Sequence, residues 1–189
     1  MSISLVKGQK VDLTKGNTGL KHLIVGLGWD INSSGRGSAF DLDSVALCLN
    51  SEGKLANDGD MIFYGHLNHS SGAIKHSGDN LTGAGDGVDE SILVNLDEVP
   101  ESIYKIVFDV SIYQANSRHQ NFGQVNNAFI QVVDKDTNEE LLRYDLSEDF
   151  SVETSVILGE IYRHSGEWKF NAKGEGVAGE LSEVRNMYL

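Results

Sequence analysis

Apolar and polar residues alternate with a period of two through most of this 189-residue chain, and that pattern confines it to sheet. Side chains of an extended strand point alternately to opposite faces, so alternation marks a strand with one face buried. Residues 22–29 read as a core strand whose glycines let another backbone approach closely. Further strands are predicted at 44–49, 61–64, 91–96, 104–112 and 127–134, the last turning through 136–139 into 141–146. Segments 155–163 and 167–171 flank His164-Ser-Gly-Glu167 as a second hairpin. Ile3, Leu5, Val11 and Leu13 fit short strands around the turn at 7–10. Helical signals are few: one turn at 97–102, one at 114–121, and a short C-terminal helix over 181–188 with Leu181, Val184 and Tyr188 on one side. Many short strands with a single proline predict an all-β antiparallel sandwich with short helical turns, one domain spanning 1–189.

A hydrophobic content of 40% supports one well-filled core at this length. The formal charge of −13 argues against nucleic acid and against an anionic membrane surface as direct partners. That charge is uneven. Lys7, Lys10, Lys15 and Lys21 make the first 29 residues basic, whereas residues 30–90 hold ten acids against Arg36, Lys54 and Lys75. Cys48 is the single cysteine and sits in an apolar run, so it reads as a small buried hydrophobe. No run reaches the roughly 18 apolar residues of a membrane span, and lysines stand where a secretory signal needs an apolar stretch. The expectation is a soluble, cytoplasmic protein without direct membrane insertion.

The stretch Asp79-Asn-Leu-Thr-Gly-Ala-Gly-Asp-Gly-Val-Asp-Glu90 resists explanation by packing. It sets four carboxylates and an amide among three glycines, with no basic residue. Like charges repel and glycines make the backbone costly to order, so a cation is expected to hold the segment together. Ca²⁺ takes six to eight oxygens from such groups, whereas Mg²⁺ keeps several waters. The segment is not an EF-hand: Leu81 and Gly83 stand where oxygen ligands belong, and Ala84 replaces the required glycine. A site assembled from several loops fits better. Asp30 follows the strand ending at Trp29, Asp41 and Asp43 share one side of an extended segment, and Asp58 and Asp60 repeat that spacing before the strand at 61–64. If strands 22–29 and 44–49 are antiparallel neighbours, Asp30 and Asp43 share a sheet end. About nine candidate carboxylates exceed what one Ca²⁺ neutralises, which favours more than one ion.

Other constellations are weaker. His66, His69 and His76 lack the cysteine cluster or helical spacing of a zinc site and read as ordinary polar residues. No Gly-x-Ser-x-Gly elbow accompanies the serines, and Glu160 with Glu167 lacks a predicted cleft.

The residues Val25-Gly-Leu-Gly-Trp-Asp30, Phe40-Asp-Leu-Asp43, Gly78-Asp-Asn-Leu-Thr-Gly83 and Asp89-Glu90 together carry a resemblance. So do Gln120-Asn-Phe-Gly123, Tyr144-Asp-Leu-Ser-Glu-Asp149, Gly159-Glu-Ile-Tyr-Arg-His164 and Gly166-Glu-Trp-Lys-Phe170. Over essentially its full length the chain resembles the TerD family of bacterial tellurium-resistance and general stress proteins. The resemblance implies a calcium-binding β-sandwich with two adjacent ion sites and a role in stress responses. By position it implies Asp30, Asp41, Asp43, Asp60, Asp79, Asn80, Asp89 and Glu90 as ligands. The family pattern commonly reads Gly-Asp-Asp-Glu where this chain has Gly87-Val-Asp-Glu90; Val88 removes an acid for which Asp86 is the candidate substitute. The chain also stops at Leu189, slightly short of the tail the family pattern suggests. Implied partners are other stress or tellurium-resistance proteins, membrane-associated ones among them.

The function expected from the sequence is therefore a non-enzymatic Ca²⁺-binding protein whose ions order an interaction surface. The alternatives are a Ca²⁺-dependent sandwich that binds carbohydrate and a metal-dependent hydrolase.

Overall fold

Each alternating segment pairs through its backbone with a partner whose apolar residues fall on the same face. The computed structural model describes residues 2–30, 40–78, 88–146 and 150–189, without the side chain of Asp30. In chain order the strands are β1 (Ile3–Ser4), β2 (Lys10–Asp12), β3 (His22–Asp30), β4 (Leu42–Leu49), β5 (Met61–Ile62) and β6 (Ile74–His76). They continue as β7 (Glu90–Asn95), β8 (Lys105–Ile112), β9 (Asn126–Asp134), β10 (Glu139–Asp145), β11 (Ser155–His164) and β12 (Glu167–Val177). Two short helices, α1 (Ala115–Arg118) and α2 (Leu181–Asn186), complete the elements that matter below. Among the described residues the strands form two six-stranded sheets, ordered β1-β10-β9-β3-β7-β6 and β2-β12-β11-β8-β4-β5. Pairing is antiparallel except where β1 lies parallel on β10. This is the antiparallel sandwich that the alternation predicts.

The inner faces hold one continuous core. Leu23, Val25, Leu27 and Trp29 from β3 meet Leu42, Ala46 and Cys48 from β4, with Ile106, Phe108, Val110 and Ile130 between them. β7 shows the period most plainly: Glu90, Ile92 and Val94 are buried, and the residues between them are half-exposed. β4 departs from that rule, because all eight of its residues are buried. Its outward Val45, Leu47 and Leu49 join Val107 and Ile157 in a second apolar cluster. α2 covers that cluster with Val184, while Leu181 and Tyr188 pack against it, the side expected from the sequence. Burying a side chain of this size contributes about 2 kcal/mol.

Several local expectations are corrected. β3 and β4 are not neighbours; β3 lies between β9 and β7, and β4 between β8 and β5 in the facing sheet. β1 and β2 join different sheets rather than each other. Residues 97–102 form hydrogen-bonded turns without a helix, since Pro100 supplies no amide donor there. β12 runs past residue 171 to Val177, and β6 is a strand that alternation did not reveal, because three residues are too few to show a period. β11 carries a bulge between Ile157 and Gly159. A Cβ at Gly159 would stand 2.5 Å from Phe170 Cζ, so this close approach requires glycine.

Candidate functional site

The hydrogen-bond register brings five of the predicted acidic positions to one end of the sandwich. Leu27 pairs with Glu90, so β3 ends at Asp30 where β7 begins. Leu42 pairs with Ile112, which sets the start of β4 at the end of β8, and Ser44 of β4 bonds Glu90 directly. Asp30, Asp41, Asp43, Asp89 and Glu90 thus share an end, although β3 and β4 belong to facing sheets. Asp79, Asn80 and Asp86 lie outside the described residues, as does the side chain of Asp30.

Glu90 points between the sheets. Its Oε2 accepts the Ser44 backbone N–H at 2.7 Å and the Ser44 hydroxyl at 2.6 Å. His76 Nε2 lies 2.7 Å from Ser44 Oγ and 3.4 Å from Glu90 Oε2. His76 Nδ1 accepts the Gly78 N–H at 3.0 Å, so the proton of the neutral ring sits on Nε2 and faces the serine and the carboxylate. The side chains of His76 and Glu90 have no solvent exposure. Sequence reasoning took His76 for an ordinary polar residue; the polar Ser44 inside the apolar run of β4 was the available signal that a buried partner existed.

Asp89 anchors the neighbouring strands. Its N–H donates to the Leu27 carbonyl at 2.8 Å, and its Oδ2 accepts the Trp29 N–H at 2.9 Å. Asp41 and Asp43 alternate with the core residue Leu42, so both face the outer side of their sheet, at 8% and 5% exposure. Arg118 Nη1 approaches Asp41 Oδ2 at 3.7 Å, with its guanidinium 5.2 Å above the Tyr113 ring. Left-handed Gln114 and His119, at φ 53 and 54, flank α1 and turn it across the strand ends to place that arginine.

The carboxylates share an end but not a single point. Asp41 and Asp43 lie outside one sheet and Glu90 lies between the two. Among the described residues no group of three His, Cys, Asp or Glu side chains could hold a metal by itself. Donor chemistry nevertheless fits a hard cation, since these groups offer oxygen only.

Asp60 is not brought to this end. Met61 pairs with Leu47, so Asp60 falls beside Cys48, roughly 17 Å along β4 from Asp43 at about 3.4 Å per residue. There it caps a short 3₁₀ turn, accepting the Asn57 N–H and amide at 3.2 and 2.9 Å, and His69 Nε2 lies 3.2 Å away. Local capping chemistry therefore accounts for the Asp58-Gly-Asp60 spacing. Val88 lies against β3: a Cβ at Gly26 would meet its Cγ2 at 2.7 Å. Cys48 is buried in the core as the sequence suggests, and burial pushes its thiol pKa upward.

Comparison with known proteins agrees with this architecture. The TerD domain family matches residues 1–188. General stress protein 16U of Bacillus subtilis is 56% identical over 188 residues, covering 100% of this chain and 97% of that protein. Tellurium resistance protein TerD of Serratia marcescens is 51% identical over 188 residues, with coverage of 100% and 97%. The crystal structure of a telluride-resistance protein homologue from Streptomyces coelicolor superposes with a TM-score of 0.70 at 26% identity, covering 88% of this chain and 96% of that one. The chain belongs to the TerD family of tellurium-resistance and general stress proteins.

Proposed function

We propose that this protein acts in stress or tellurium resistance as a non-enzymatic Ca²⁺-binding module. One observation carries the reading: the Asp41–Asp43 pair and Asp89 come from two widely separated places in the sequence to the same end of the sandwich. Those residues, with Asp30, Asp79, Asn80 and Asp86, supply the oxygens, enough for two ions. Glu90 serves chiefly as the buried clasp that fixes the strand starts beneath them. Binding would draw the mutually repelling loops together and order a surface for partner proteins of the stress response. Isothermal titration with Ca²⁺ tests this directly; absence of heat and of a defined stoichiometry removes it.

A second reading, Ca²⁺-dependent recognition of carbohydrate, draws support from exposed aromatic rings beside Asp43. Tyr64 and Tyr113 stand edge to face at 6.2 Å and line a cleft with that carboxylate. A glycan screen without calcium-dependent hits disposes of it.

A further inference from the structure

Beneath α2 a fully buried carboxyl sits in an otherwise apolar contact. Asp109 lies on the outer face of β8, flanked in register by Val45 of β4 and Ile157 of β11, and has no solvent exposure. Its Oδ1 has no hydrogen-bond partner among the described residues. Its Oδ2 stands 2.8 Å from Ser111 Oγ, which stands 2.8 Å from Ser155 Oγ, which in turn is 2.8 Å from the Gly179 carbonyl. Thr154 Oγ1 donates to the same carbonyl at 2.7 Å. Gly179 immediately precedes Glu180, the N-cap of α2.

Counting protons decides the state of this chain. Three oxygen–oxygen contacts run from Asp109 to Gly179, but Ser111 and Ser155 own one hydroxyl proton each. With Asp109 ionised, one contact must juxtapose two lone pairs at 2.8 Å in a dry setting. With Asp109 protonated, every contact holds a proton: Asp109 donates to Ser111, Ser111 to Ser155, and Ser155 to Gly179. Oδ1 is then the carbonyl oxygen, the less costly atom to leave unpaired. We propose that Asp109 is a proton-operated latch: its neutral carboxyl, acting through Ser111 and Ser155, holds Gly179 and the following α2 on the sheet, and its ionisation loosens that segment.

The surroundings favour the neutral acid. Burial raises the Asp109 pKa to about 7, with the Ser111 hydrogen bond opposing the shift. Among the described residues no hydrogen bond or ion pair brings a cation to it. β4 contributes Asp43 opposite Ser111, β11 contributes Glu160, which Lys105 of β8 neutralises at 3.0 Å, and β12 contributes Glu175. From the α2 segment come Tyr188, whose own pKa is raised by burial and by Asp109, together with Glu180, Glu183 and Arg185, the last paired with Asp58. Loosening α2 would uncover Val45, Leu47, Val107 and Ile157, an apolar surface on the outer face of the sheet.

The sign follows from linkage. Asp109 has a folded-state pKa above that of a solvated aspartate, so its contribution is complete below about 4 and declines as pH rises, ending near pH 7. Between those limits one proton is lost on undocking, and the docking equilibrium falls about tenfold per pH unit. Amide hydrogen exchange of residues 183–188, corrected for the intrinsic base-catalysed rate and run with chelator, reads this equilibrium. Protection of α2 should fall across pH 5–7 in the wild type and stay level in Asp109→Asn, whose amide supplies the same donor without titrating. A level wild-type profile, or an unchanged slope in Asp109→Asn, overturns the latch. Should that variant fail to fold, carbon-13 titration of the aspartate carboxyls in the wild type decides alone: a midpoint near 7 for Asp109 supports the latch, and one in the ordinary aspartate range refutes it.

Discussion

The carboxylate of Glu90 on β7 accepts the backbone N–H of Ser44 on β4 at 2.7 Å, one hydrogen bond joining the two sheets at the end where the acids gather. A carboxylate acceptor held in a dry space between sheets is worth more than a surface bond, and its loss removes the acceptor of both the backbone N–H and the hydroxyl of Ser44. Glu90→Ala should therefore lower stability by about 3 kcal/mol, and Glu90→Gln by less, because the amide oxygen still accepts. Urea unfolding of the three proteins checks the order; equal midpoints would show that the clasp carries no stability.

Calcium should stabilise the fold by mass action. At a hundredfold excess over the dissociation constant the gain is about 2.7 kcal/mol, which for a chain of this size raises Tm by roughly 5–10 °C. Asp89→Asn should reduce that shift while leaving the chelator melting curve nearly in place, since the asparagine oxygen still accepts the Trp29 N–H. An identical calcium shift in the variant would remove Asp89 from the site.

Trp29 offers an optical check on the same end. Its backbone N–H is bound to Asp89 and its ring is buried at 4% exposure, whereas Trp168 lies at the opposite end of the sandwich. Calcium should change the emission of the wild-type protein and leave that of Trp29→Phe unchanged. A calcium response that survives in Trp29→Phe points to an effect away from this end.

At the far end, Arg163 ties the turns after β7 to the last hairpin. Its Nε donates to the Ile103 carbonyl at 3.1 Å, one Nη to the Val99 carbonyl at 2.8 Å, and its plane covers the Trp168 ring at 4.4 Å. A lysine cannot reproduce the fork or the stacking. Arg163→Lys should cost about 2 kcal/mol without altering calcium affinity. A stability cost below the error of chemical denaturation, or a changed affinity, would contradict this division of roles.

Gly159→Ala tests the bulge in β11. The added methyl meets the Phe170 ring and the Asn171 carbonyl, so overpacking should destabilise by about 2 kcal/mol. A neutral thermal melt would mean that Phe170 moves aside freely.

The strands were readable because β3, β8, β9 and β11 are each eight residues or longer, enough for a local run of apolar and β-branched residues to stand out even where both faces are buried. β6 was not, being three residues long, and neither was the assignment of β3 and β4 to facing sheets, since alternation states which face is buried and not which strand lies alongside. Composition announced a cluster of acids, and the D-x-D spacing put Asp41 and Asp43 on a common side. Spacing alone could not separate them from Asp60, whose carboxylate is consumed by a local turn.

By itself the sequence determined the fold class, the shared side of Asp41 and Asp43 and the apolar side of the terminal helix, because all three follow from local periodicities. Tertiary structure alone decided which acids meet at one end, that Glu90 turns inward to Ser44 and His76, and that Asp109 lies dry beneath α2. Those outcomes depend on pairing between residues dozens of positions apart, and in each the burial of charge is set by what the neighbouring element covers.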